Sequence, residues 1–189
     1  ILEALEEQNK KKFSLAKAQL KNIDKKTNNI DDTIITTLAL HSPEAKDLRK
    51  MIAYLKMTNE FSRAYSSTKG FIKSFASVLK DINEETIEKY AIPIQAMNIE
   101  AIENVITLFN TESQEEAEQC FNTILVAENK TDDLYKIVED LLINKADNID
   151  NFSKYYTTIE ALRKIEKISD RIMSMAHLLI YAIDGKKIN

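Results

Sequence analysis

Apolar residues recur every three or four positions through almost the whole chain, the spacing that gathers side chains onto one face of an α-helix. The clearest case is residues 161–185, ALRKIEKISDRIMSMAHLLIYAIDG, where Ile165, Ile168, Ile172, Met175, Leu179 and Ile183 form one stripe. Gly185 follows, where helices commonly close on a left-handed residue. At the other end, residues 1–13 read as the end of one helix and the step into another. From Ser14 the pattern predicts a long helix through Leu20, Ile23, Ile30, Ile34 and Leu38. It stops at His41-Ser42-Pro43, where Ser42 suits an N-cap, Pro43 the first helical position and Glu44 the first turn of a new helix. That helix carries Leu48, Met51, Ile52, Leu55, Phe61, Phe71, Phe75 and Leu79 to about Lys80, with Gly70 inside it as a close packing contact or slight kink. Residues 81–92, DINEETIEKYAI, are the most polar connection.

Pro93 then starts or kinks a helix through Met97, Ile102, Val105, Ile106 and Phe109. Thr111 and Gln114 have capping-box spacing ahead of another, which holds Phe121, Ile124, Leu125, Leu134, Ile137, Val138 and Leu141. A turn at residues 146–150 leads into the final helix. Period-2 alternation is absent, so the expected class is all-α: five substantial helices of about 25 to 38 residues, with short connections making sequential helices antiparallel neighbours.

Composition narrows the picture. Only two Gly and two Pro occur in 189 residues, too few for breaker-rich loops. Net charge is −4, with Lys and Arg scattered, so the concentrated basic patch that nucleic acid requires is missing. One cysteine, Cys120, excludes an internal disulfide and a Cys-rich zinc site. No apolar run approaches the roughly 20 residues of a membrane span, and no signal peptide is visible. The chain opens on Ile1 rather than Met, which leaves room for an upstream segment, including a targeting one. A nucleophile–base pairing, a Gly-rich phosphate loop and a dinucleotide fingerprint are all missing, which argues against an enzyme.

The chemistry that remains is carboxylate. Glu166 and Asp170 lie one turn apart beside the apolar stripe of the last helix. With the preceding turn centred near residue 148, an antiparallel hairpin sets Glu128 and Asp132 at the same level. Four converging oxygen ligands suit a hard or intermediate cation: magnesium, calcium, manganese or iron. Without an ion, acids so close repel, and some must protonate or turn to water. An i,i+4 acid pair is also what an ordinary solvated helix margin looks like. His177, two turns beyond Asp170, and His41 at the helix junction read as structural.

Two stretches resemble the PhoU family of phosphate-uptake regulators. Ser42-Pro43-Glu44-Ala45-Lys46-Asp47-Leu48-Arg49 is similar to that family's Pro-x-Ala-x-Asp-Leu-Arg helix start. Leu162-Arg163-Lys164-Ile165-Glu166-Lys167-Ile168-Ser169-Asp170 resembles its metal-binding Glu-x-x-x-Asp helix, and Tyr181-Ala182-Ile183-Asp184-Gly185 its last turn. The resemblance implies tandem three-helix bundles: residues 1–81 as a first repeat and 82–189 as a second. The first helix is then largely missing, with Ile1 to Leu5 as its last turn. It also implies metal, as iron, manganese or magnesium, on Glu128, Asp132, Glu166 and Asp170. In the first repeat the corresponding positions are Thr27, Asp31, Ser62 and Ser66, with one acid among hydroxyls.

By the same resemblance the expected function is non-enzymatic regulation of phosphate uptake and starvation signalling. The implied partners are a phosphate ABC transporter and the phosphate-regulon histidine kinase, at the cytoplasmic periphery of the inner membrane. A cytosolic regulatory domain of a sodium/phosphate symporter is the alternative, and a carboxylate–metal hydrolase is the alternative of another class. The apolar face left by the missing helix is expected to stay open or to take a partner chain, a homodimer included.

Overall fold

The computed structural model describes residues 1–145 and 149–184, and among these every regular element is helical. Two short helices, α1 (Leu2–Glu6) and α2 (Lys10–Gln19), precede α3 (Ile23–His41) and the long α4 (Ala45–Val78). One helical turn, α5 (Glu84–Thr86), runs through a π-helical segment (Ile87–Ala91) into α6 (Ile92–Asn110). Two long helices, α7 (Gln114–Asn144) and α8 (Ile149–Asp184), complete the chain. The expected stop at Gly185 and the turn residues 146–148 lie outside the described residues.

The boundaries differ from the sequence reading at four places. The helix expected from Ser14 to Leu38 is two helices, broken at Leu20-Lys21-Asn22, where Asn22 takes φ 65°. Asn tolerates this left-handed conformation better than most residues, and it replaces the glycine that the chain lacks. Ser42 is not the N-cap of α4 but the left-handed end of α3, at φ 40°. Pro43 bars its predecessor from the helical region, so α3 cannot continue; Glu44 becomes the N-cap and α4 opens at Ala45.

The polar connection is also shorter than 81–92, because helix resumes at Glu84 and Ile87 and Ala91 are fully buried. These two apolar positions, one turn apart, anchor an otherwise charged stretch. Pro93 has no N–H for the carbonyl one turn back, and the π register just before it absorbs that loss: Ile92 N–H reaches Ile87 O instead. Finally, the cap of α7 is Ser113, whose hydroxyl accepts from Glu116 N–H at 3.3 Å. The Glu116 carboxylate turns to the Thr111 hydroxyl.

The core is built around α8. Its stripe residues Leu162, Ile165, Ile172 and Met175 are almost completely buried, each worth about 1.5–3 kcal/mol of apolar transfer. On one side α8 lies along α4. There Gly70 admits Lys164: a Cβ at 70 would sit 3.1 Å from Lys164 Cδ. Lys164 Nζ donates to Ser74 Oγ at 2.7 Å, and Arg171 pairs with Glu60 at 3.2 Å. On the other side α6, α7 and α8 pack on one another, with Asn98 Nδ2 donating to Ile165 O at 2.8 Å. A ring cluster of Phe13, Phe71 and Phe75, with centroids 5.0–6.3 Å apart, fastens α2 to α4.

Candidate functional site

The α7–α8 hairpin sets the level at which its acids meet. Glu128, Asp132 and Asp170 each offer one oxygen, and these three oxygens lie within 4.8 Å of one another. All three side chains are half-buried. Glu166, the fourth residue expected here, stands one turn from Asp170 but does not join that trio. Its Oε2 is buried without a hydrogen-bond partner, as is Asp132 Oδ1. Buried carboxylate oxygens are rarely left so, because the desolvation cost goes uncompensated.

Electrostatics tell the same story. Burial, followed by repulsion from Asp170 and Asp132, pushes the Glu166 carboxyl up to about 7. Burial and then Asp132 and Asp170 raise Glu128, and burial and then Asp132 raise Asp170. Desolvated, mutually repelling oxygens with two unpartnered atoms are the donor set a hard cation satisfies. The residues therefore fit a metal. The ligands would be Glu128, Asp132 and Asp170, with Glu166 alongside.

One neighbour escaped the sequence reading. Tyr135 follows Asp132 by three residues on the same face of α7, is buried, and donates to Glu139 at 2.7 Å. Burial and that acceptor push its phenol well above the ordinary value. The spacing from Asp132 was readable, but tyrosine at helical spacing also describes core.

His177 packs edge-on against Phe121, centroids 5.1 Å apart. Cys120 is buried, which raises its thiol pKa and makes it a poor nucleophile.

The corresponding positions of the first half behave differently. Asp31 accepts a hydrogen bond from the Thr58 hydroxyl. Thr27 donates to the Asp24 carbonyl at 3.0 Å and accepts from Ser62 Oγ at 3.4 Å, while Ser66 is exposed. Here a single acid already has a protein donor.

Residues 1–64 match the family model described as the PhoU domain. The fold is similar to that of PhoU from Pseudomonas aeruginosa, at a TM-score of 0.81 and 20% identity, covering 98% of this chain and 87% of that one. The phosphate transport system regulatory protein PhoU from Streptococcus pneumoniae is similar at a TM-score of 0.80 and 18% identity, covering 100% of this chain and 86% of the other. No curated protein matches the chain.

Proposed function

From a fold similar to that of PhoU along the chain and a match to the PhoU domain model over its first 64 residues, we propose that it is a non-enzymatic regulator of phosphate uptake and phosphate-starvation signalling. It acts through protein–protein contact. The partners are a phosphate ABC transporter and the histidine kinase of the phosphate regulon, met at the cytoplasmic face of the inner membrane. No described helix is long and apolar enough to cross a membrane. Residues 1–81 are a first, incomplete repeat whose first helix is largely missing, and residues 82–189 a second three-helix repeat, which carries the metal residues. The observation that carries this reading is the agreement between the domain match at one end and the fold of the whole.

Glu128, Asp132 and Asp170, whose oxygens converge, would hold one cation, iron, manganese or magnesium, with Glu166 beside them. Bound there, an ion would supply the positive charge that these mutually repelling acids lack. Deleting the gene in a strain with a phosphate-starvation reporter tests the function. The reporter should stay on in phosphate-rich medium and fall silent when the intact gene is returned. Normal repression in the deletion strain, with no second member of the family present, overturns the proposal.

A further inference from the structure

A small polar cavity of about 50 Å³ lies where the connection from α4 to α5 meets the end of α7 and the first turns of α8. It is separate from the carboxylate trio. Leu142, on its wall, stands ten positions beyond Asp132 along α7, about 15 Å at 1.5 Å per residue. The cavity thus joins the link between the two halves of the chain to both arms of the last hairpin.

Size and lining define what fits. One water needs about 10–15 Å³ of such space, so this cavity has room for about four oxygen-sized groups, the number in a tetrahedral oxyanion. Two lysines, Lys145 and Lys154, line it against one acid, Asp81. Lys154 Nζ lies 3.0 Å from Asp81 Oδ1 and has further protons to donate, while Lys145 makes no ion pair among the described residues. Thr86 is 96% buried, lines the cavity, and its hydroxyl has no hydrogen-bond partner among the described residues, as its 4% exposure to the cavity alone allows. A buried hydroxyl left so is costly unless something in the cavity accepts from it. Asn83 accepts from Glu85 N–H through Oδ1 at 2.9 Å, which leaves its Nδ2 as a donor, and the Tyr155 phenol adds another. Donors outnumber acceptors, so the occupant is an anion. Asp81 selects among anions. A carboxylate accepts from an oxyanion that carries a proton and repels one that does not. At neutral pH inorganic phosphate keeps at least one proton and sulfate keeps none.

We propose that this cavity binds one inorganic phosphate, with Lys145, Lys154, Thr86, Asn83 and Tyr155 donating to its oxygens and Asp81 accepting its proton. The site gives the regulator a direct ligand and rests on that reading of the chain.

Isothermal titration of the full chain with potassium phosphate, in a phosphate-free buffer at neutral pH, tests the assignment. The expected result is saturation at one phosphate per chain, with sulfate bound at least about tenfold more weakly. Thr86→Val keeps the shape of the side chain and should weaken phosphate binding about tenfold. The Lys154 side chain is 53% exposed, so Lys154→Gln leaves the fold intact, and it should also weaken binding about tenfold. Asp81→Asn should erase the preference for phosphate over sulfate. Circular dichroism confirms that the variants fold. An ion on Glu128, Asp132 and Asp170 would also attract phosphate, so the titration is repeated on chelator-treated protein, where binding should persist. Lack of saturable binding, binding lost with the chelator, binding indifferent to both Thr86→Val and Lys154→Gln, or equal affinity for sulfate in the unaltered chain overturns the proposal. The reporter strain separates it from the functional reading. If deletion derepresses the reporter yet the chain binds no phosphate, the regulator stands and the phosphate site falls. If phosphate binds as expected yet deletion leaves repression normal, the site stands and the regulatory reading falls.

Discussion

Asp31 and Thr58 face each other across α3 and α4, and the Thr58 hydroxyl donates to the Asp31 carboxylate. On the α7–α8 hairpin, Asp132 keeps a buried oxygen without any such donor. One half has settled its acid with a hydroxyl; the other has gathered acids that no side chain settles. Thr58→Val should therefore leave Asp31 unpaired and destabilise the protein by about 1–3 kcal/mol. A urea titration measures this. An unchanged midpoint would show that water replaces the threonine at no cost.

Metal should bind in the second half only, at about one ion per chain, because three or more acids are needed to compensate a dehydrated cation. Elemental analysis of protein purified without chelator reads the ratio. Asp170→Asn should abolish binding, and Glu166→Ala should weaken it by roughly 10–100-fold, as loss of a supporting acid does. Both variants should keep the wild-type helical spectrum, since the buried stripe of α8 and not the ion supplies the core. Metal retained by Asp170→Asn would refute the assignment.

The pH dependence of the metal-free protein follows from Glu166. Its carboxyl sits at about 7 in the folded chain, above the ordinary 4.5. Between those values the folded state holds more protons than the unfolded one, so stability falls as pH rises and the loss is complete above about 7. Stripped protein should thus have a lower urea midpoint at about pH 8 than at about pH 5, and Glu166→Gln should flatten the difference. Metal uptake runs the opposite way, rising through neutral pH as the carboxylates lose their protons. A midpoint that climbs with pH in the stripped protein would contradict the site's charge balance.

At Gly70, α4 leaves room for the Lys164 side chain of α8. Alanine there gains up to about 1 kcal/mol of helix propensity but pushes Lys164 aside by a few tenths of an ångström. Because the obstacle is a flexible side chain, Gly70→Ala should stay within about 1 kcal/mol of wild type. Gly70→Leu must displace the Lys164 stem further and should cost about 1–3 kcal/mol. Thermal melts of the two variants, alone and with Lys164→Ala, decide it. If the lysine truncation fails to relieve Gly70→Leu, the obstruction lies elsewhere.

The all-helical class, the long helices on either side of Pro43 and the position of the last hairpin were legible in the sequence, because burying one face of a helix imposes a 3.6-residue rhythm on the residues themselves. The approach of Glu128 and Asp132 to Asp170 was legible too, since a hairpin of known centre converts residue count into height. Tertiary structure decided what rhythm does not encode. The break at Asn22 depends on one residue accepting a left-handed backbone, and the pre-proline Ser42 became an end rather than a beginning. The charged stretch before Pro93 became helix because Ile87 and Ala91 found a core to enter. Whether an acid is settled, as Asp31 is by Thr58, or left bare, as Asp132 is, depends on which side chain stands opposite it. That neighbour comes from another helix, and spacing along one helix carries no record of it.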